Sequence, residues 1–118
     1  MDRIDSLESL RRRLAEFVDE RDWDQFHNPK NLAMALAAEA GELLEHFQWL
    51  SADEAARLEP AVRDAVALEL ADILMFLVRL SDKLGVDLLD AAGRKLALNA
   101  QKYPAEKARG RATKYDKL

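Results

Sequence analysis

Two acidic pairs with the same spacing stand out in this chain of 118 residues. Glu39 and Glu42 form an E-x-x-E pair, and Glu69 and Asp72 form an E-x-x-D pair further along. At roughly 100° per residue, Glu39 and Glu69 each fall inside the apolar stripe of a predicted helix. Residues three apart lie on one face of a helix, so each pair presents two carboxylates together.

Carboxylates inside an apolar seam need a compensating charge. Burial of an unpaired carboxylate costs several kcal/mol, and four converging carboxylates repel one another and raise their own pKa values. A divalent cation supplies the compensation, and hard oxygen donors suit Mg²⁺ or Mn²⁺. The spacing therefore predicts a magnesium site, with manganese as the alternative metal, formed by Glu39, Glu42, Glu69 and Asp72. The competing explanation is ion pairing of these acids to a basic residue such as Arg79 or Lys95.

Other metal and nucleophile classes are disfavoured. The chain has no cysteine, which excludes disulfides, thiol nucleophiles and cysteine-bound metals, and its two histidines are too few for a His-rich zinc centre. A di-iron carboxylate site needs E-x-x-H pairs. His46 stands four residues after Glu42 rather than three, and this spacing disfavours iron.

Long helices must position these acids, and the sequence predicts an all-α fold without strands. Hydrophobic residues make up 49% and charged residues 34% of the chain, whereas Gly (4) and Pro (3) are scarce. Asp5 with Glu8 and Ser51 with Glu54 have capping-box spacing, and Asn28-Pro29 is a strong helix start. The first predicted helix begins near Asp5 or Ser6 and ends near Arg21. The others span residues 29–47, 61–84 and 88–103, with a short turn after Ser51 and a stop at Gly85.

Charge and composition suggest a single domain with a distinct tail. Residues 1–103 form the predicted helical domain, and residues 104–118 form a predicted irregular tail with five basic and two acidic residues. The net charge of −4 argues against coating of nucleic acid. The charged N-terminus lacks an apolar signal core and no stretch is long and apolar enough for a membrane span, so a cytoplasmic protein is expected.

Further residues fit a nucleotide beside the acids. Lys95, Asn99 and Lys102 recur at i, i+4 and i+7 with Tyr103 adjacent, which suits a polyphosphate but also describes an ordinary solvated face. Aromatic residues and a histidine occupy the connectors at both ends of the second helix and form either a slot for a nucleobase or lids on the core. These connector residues are Trp23, Phe26, His27 and Trp49.

The third predicted helix is apolar nearly all the way round from Val66 to Val78. A surface helix of a monomer keeps one polar face. A short chain buries such a helix most readily by self-association, so an oligomer is expected.

Several segments together resemble a known family. The runs RDWDQFHNPKNL (residues 21–32) and EAGELLEHFQW (residues 39–49) resemble the MazG-like all-α nucleoside triphosphate pyrophosphohydrolases. They are most similar to the branch that includes the dCTP pyrophosphatases. The segment ELAD (residues 69–72) resembles the second metal motif of that family, and Lys95 to Pro104 with Lys114-Tyr115 resembles its C-terminal signature.

The resemblance implies a four-helix MazG-like bundle completed by oligomerisation as a homodimer or homotetramer. It implies Mg²⁺-dependent hydrolysis of a (d)NTP to (d)NMP and pyrophosphate, as nucleotide-pool housecleaning. The four acids would be the metal-binding and catalytic residues, Lys95, Asn99, Lys102 and Tyr103 would hold phosphates and sugar, and Trp23, His27 and Trp49 would shape the base pocket. Two alternatives remain: an enzyme acting on another polyphosphate, and a non-enzymatic helical oligomeric interaction module with a basic tail.

Overall fold

A computed structural model of the protein describes residues 3–118, and within that range every regular element is helical, which confirms the predicted all-α class. The α-helices are α1 (Leu7–Glu20), α2 (Pro29–Glu45), α3 (Ala52–Ala55), α4 (Pro60–Leu84), α5 (Leu88–Lys102) and α6 (Ala105–Ala108). Short 3₁₀ turns lie at Asp24–Phe26 and Tyr115–Lys117. Thus α1, α2, α4 and α5 are the four predicted helices. None of the described helices is both long and apolar enough to cross a membrane.

Local capping interactions explain most helix boundaries. The side chain of Asn28 accepts a hydrogen bond from the amide of Asn31 at 2.9 Å, with Pro29 in the first helical position of α2. The capping box of Ser51 and Glu54 begins α3 as predicted. At the end of α4, Gly85 takes the left-handed conformation with φ of 67°, which glycine adopts without steric cost.

The predicted cap of the first helix was wrong in its residues. Ser6, rather than Asp5, is the N-cap of α1, and its partner in the capping box is Ser9. Glu8 instead pairs with Arg11 one turn along the helix. A serine hydroxyl both donates and accepts hydrogen bonds, so Ser6 and Ser9 satisfy each other's backbone amides while Glu8 stays at the surface.

The chain divides into two compact units, the first ending at Gly85 and the second comprising Val86–Leu118. In the first unit α2 packs mainly against α4, and α1 packs against the same long helix. Apolar side chains at these contacts form the core, and the most buried of them are Leu10, Val18, Leu32, Val66 and Val78. The helix α4 is therefore the central element of the first unit.

In the second unit the tail contains more structure than predicted. The irregular tail expected after Tyr103 includes α6 and the 3₁₀ turn at Tyr115–Lys117, with irregular residues 111–114 between them. The rings of Tyr103 and Tyr115 meet edge to face with centroids 6.0 Å apart, and the ammonium of Lys102 lies 4.9 Å from the Tyr115 ring centroid. These contacts hold the tail against the end of α5. The division into a domain 1–103 and a tail 104–118 stays a prediction.

The contact of α2 with α4 can be tested at Leu32, which is 2% exposed. Leu32→Ala leaves a cavity in this contact and should lower the free energy of unfolding by about 2–4 kcal/mol. Leu96→Ala removes the same atoms from a side chain that is 71% exposed, and should change the free energy of unfolding by less than about 0.5 kcal/mol. Urea unfolding followed by circular dichroism measures both. Equal losses for the two variants would contradict the assigned core.

Candidate metal centre

The packing of α2 against α4 brings three predicted acids together. Glu39 lies on α2, and Glu69 and Asp72 lie one turn apart on α4. One carboxylate oxygen from each of the three lies within 4.8 Å of the other two. All three residues are half-buried. Glu39 of α2 therefore faces the Glu69–Asp72 pair of α4 across the contact.

Glu42, the fourth predicted ligand, lies at the edge of this cluster. Glu42 is exposed and is not among the three acids whose oxygens converge. Its carboxylate nevertheless acts on Glu39, one helical turn away, and contributes to the raised pKa of that residue. A role for Glu42 as a metal ligand stays a prediction.

Two oxygen atoms in the cluster are buried without a partner. Neither Glu39 Oε2 nor Glu69 Oε2 forms a hydrogen bond among the described residues. Within the described part of the first unit, no lysine or arginine forms an ion pair with Glu39, Glu69 or Asp72. Arg79, one of the two competing partners named for these acids, pairs with Asp24 and Asp82 instead. Ion pairing to Arg79 is thus ruled out as the explanation of the buried carboxylates.

The neighbouring carboxyls and burial raise the pKa of Glu39. The neighbouring Glu69 carboxyl raises the pKa of Glu39 to about 7 by hydrogen bonding to its protonated form, and burial and the Glu42 carboxyl add to the rise. At neutral pH Glu39 is therefore partly protonated, and this proton partly offsets the negative charge of the cluster. A divalent ion would displace that proton and neutralise the remaining carboxylates.

The donor set fits a hard divalent cation. The converging ligand atoms are carboxylate oxygens, and Glu39 and Glu69 each have one buried oxygen without a hydrogen-bond partner among the described residues. Mg²⁺ and Mn²⁺ prefer such oxygens and keep some bound water. A histidine also lies beside the acids, with His46 Nε2 4.0 Å from Glu69 Oε1. His46 stands seven residues after Glu39, a spacing of two helical turns that places it on the same face of the segment.

The connector residues predicted to shape a base pocket have different surroundings. The ring of Trp23 packs edge to face on Phe17 with centroids 5.8 Å apart, and 45% of Trp23 remains exposed. Trp49 is 87% exposed, so within the described chain it is not a lid on the core. His27 is half-buried and accepts a hydrogen bond at Nδ1 from Arg79.

The predicted phosphate residues lie in the second unit. Lys95 and Asn99 are on α5, Lys102 ends that helix and Tyr103 is its C-cap. The backbone carbonyl of Asn99 accepts a hydrogen bond from the backbone amide of Tyr103 at 2.8 Å. The ammonium of Lys102 contacts the Tyr115 ring. Their approach to the acids of the first unit stays a prediction.

A model of the MazG-like family matches residues 34–118 of the chain. The chain belongs to the MazG-like family. Rat and human proteins named dCTP pyrophosphatase 1 are 47% and 45% identical to it over 115 residues, which is 96% of this chain and 68% of each relative. A crystal structure of a pyrophosphatase from Archaeoglobus fulgidus has a TM-score of 0.80 and 38% sequence identity, covering 88% of this chain and 97% of that one.

Membership of the MazG-like family confirms the resemblance drawn from the sequence motifs. The matched range contains all four acids and the residues of α5, whereas Trp23 and His27 precede it. The sequence does not predict the contacts of two residues, His46 beside Glu69 and Arg79 beside His27. The spacing of seven residues between Glu39 and His46 is a sequence signal for the first contact. No spacing signals the second, because Arg79 and His27 are far apart in the chain.

The raised pKa of Glu39 predicts a pH dependence of stability in the metal-free protein. The folded pKa is about 7 against an ordinary value of 4.5, so the folded chain binds more protons between these values. Stability from this group is full below pH 4.5 and is lost as the pH rises through 7. Glu39→Gln removes the titration, so the variant should lose less stability than the parent protein across that window.

Urea unfolding in the presence of a chelator, at several pH values, measures this difference. Because His27 and His46 are present in both proteins, the comparison isolates Glu39. Saturating Mg²⁺ should reverse the trend, since metal binding requires the deprotonated carboxylates. Parallel pH profiles for the two metal-free proteins would contradict the assigned protonation.

Proposed function

We propose that the chain is a Mg²⁺-dependent nucleoside triphosphate pyrophosphohydrolase, which converts a (d)NTP and water to (d)NMP and pyrophosphate. The observation that carries the proposal is the convergence of Glu39, Glu69 and Asp72, two of them with unpartnered buried oxygens. The relatives named dCTP pyrophosphatase and the related crystal structure named a pyrophosphatase support this reaction class.

In this proposal the four acids hold the metal. Glu39, Glu69 and Asp72 would supply the converging oxygens, and Glu42 would add a ligand from the exposed edge. The bound ion would supply Lewis-acid polarisation of the α-phosphate and would make the attacking water more acidic. Mn²⁺ prefers the same oxygen donors and should substitute for it.

The remaining chemistry falls to the side chains. Glu42 lies at the exposed edge of the cluster, and there it would orient the attacking water and take its proton. Attack of the water oxygen on the α-phosphorus forms one P–O bond. The bond between the α-phosphorus and the oxygen that bridges the α- and β-phosphates breaks. Pyrophosphate leaves and the nucleoside monophosphate remains.

Binding of the nucleotide is assigned by the resemblance. Lys95 and Lys102 would neutralise phosphate oxygens, and Asn99 and Tyr103 would hold phosphate and sugar. Trp23, His27 and Trp49 would shape the site of the base. The exposed faces of Trp23 and Trp49 are available for stacking, which supports a nucleotide over a smaller polyphosphate.

Self-association through α4 is part of the proposal. Five leucines of this helix remain 37–70% exposed in the single chain, namely Leu68, Leu70, Leu74, Leu77 and Leu84. Met34 and Leu44 on α2 are also exposed. A second copy of this chain, as a homodimer or homotetramer, would cover these side chains. A cytoplasmic location and a role in nucleotide-pool housecleaning stay predictions.

The role of the acid cluster can be tested with Glu69→Gln. The amide keeps the shape of the side chain but is a poor metal ligand, so Mg²⁺-dependent pyrophosphate release should fall more than about a hundredfold. Asp64→Asn on the same helix alters an exposed acid away from the cluster and should leave turnover unchanged. Pyrophosphate release from each canonical dNTP measures activity, and circular dichroism checks the fold. Normal turnover by a folded Glu69→Gln protein would defeat the proposal.

Thermal shift separates the enzyme from a non-enzymatic interaction module. An α,β-methylene nucleoside triphosphate cannot be cleaved at the reacting bond, so with Mg²⁺ it should bind without turnover. At about a hundred times its Kd, such a ligand raises stability by about 2.7 kcal/mol and the Tm by about 5–10 °C. Glu69→Gln should lose the Mg²⁺-dependent part of this shift. An interaction module would show no shift with either ligand.

A further inference from the structure

Arg79 is a buried cation that lies away from the acid cluster. The residue is 5% exposed on the central helix α4. Its Nη2 donates a hydrogen bond to Asp24 Oδ1 at 3.2 Å, and its Nη1 lies 3.5 Å from Asp82 Oδ2. A buried guanidinium is costly unless it is paired, and these two carboxylates account for its charge. Its Nε donates a hydrogen bond to His27 Nδ1 at 3.2 Å.

The contact with Arg79 determines which nitrogen of His27 carries the proton. A guanidinium has only N–H donors, so Nδ1 of His27 must accept and therefore carries no hydrogen. The neutral ring then holds its proton on Nε2. Burial lowers the pKa of His27, and the charge of Arg79 lowers it further, so the ring is neutral at pH 7. Among the described residues, no acceptor is hydrogen-bonded to this Nε2–H.

The carboxylates around Arg79 hold the guanidinium in place. Asp24 also accepts from Lys83 Nζ at 2.6 Å, and this hydrogen bond is the main reason that the pKa of Asp24 is lowered. Asp82 is in turn 3.4 Å from Arg11 on α1. Asp24 therefore keeps a cationic partner even when Arg79 is removed, which makes Arg79 variants practical to study.

We propose that Arg79 is a positioning residue that fixes His27 in the Nε2–H tautomer, so that His27 meets the substrate as a hydrogen-bond donor. The inference rests on the proposed function, in which His27 helps to shape the base site. The edge of the base that meets His27 must then offer an acceptor, either a carbonyl oxygen or an unprotonated ring nitrogen. An amino group of the base at that position would oppose the Nε2–H of His27. Both groups are donors, so no hydrogen bond would form and binding of that base would be weakened.

The tautomer can be measured without any nucleotide. Nitrogen-15 NMR of the imidazole rings in the full chain should show His27 with an unprotonated Nδ1 and a protonated Nε2 at neutral pH. Arg79→Met should convert this signal to a mixture of tautomers. Lys83→Met is the matched control, because it removes the other cation on Asp24 without touching His27, and it should retain the tautomer. A proton on Nδ1 in the parent protein, or an unchanged tautomer in Arg79→Met, would overturn the proposal.

Kinetics test the consequence for the substrate. Arg79→Met should raise the KM of an accepted nucleotide about fivefold to tenfold while kcat stays within about twofold, since one hydrogen bond is weakened. If Arg79→Met does not fold, Arg79→Lys keeps the charge near Asp24, lacks the Nε donor and should show the same rise in KM. An unchanged KM in a folded Arg79 variant would refute the donor role of His27. A parent protein that hydrolyses no nucleotide would refute the proposed function instead. The NMR experiment would still test whether Arg79 fixes the tautomer of His27.

Discussion

The first unit depends on how it accommodates carboxylates at a helix contact. Glu39, Glu69 and Asp72 converge where α2 packs on α4, and two of their oxygens have no partner among the described residues. A hydrogen bond with the Glu69 carboxyl raises the pKa of Glu39, and burial and the neighbouring acids add to the rise. Packing of the two helices thus brings the acids together, and a bound dication would neutralise their charge.

A second charged cluster in the same unit is neutralised by the protein itself. Asp24 and Asp82 surround Arg79, and Lys83 and Arg11 complete the set. Each anion in this network meets a cation, so the cluster needs no ion from solution. The contrast between the two clusters supports a binding role for the unneutralised acids and a positioning role for the neutralised ones.

Much of the fold could be predicted from the sequence, because it depends on residues close together in the chain. The caps at Asn28, Ser51 and Gly85 involve neighbouring residues, and helical periodicity places Glu39 and Glu69 on apolar stripes. The Ser6–Ser9 cap was missed because several polar residues compete within one turn. The contacts of Arg79 with Asp24 and His27 join α4 to a distant connector, so no spacing rule reports them. Likewise, the ring contact of Tyr103 with Tyr115 orders a tail whose composition suggests an irregular segment.

A crystal of the full chain grown with Mn²⁺ tests the central claim most directly, because this ion reports its own position by anomalous scattering. The account predicts an anomalous peak between α2 and α4, within coordination distance of oxygens from Glu39, Glu69 and Asp72. A map without such a peak, in which these carboxylates point apart or pair with arginine or lysine, would contradict it.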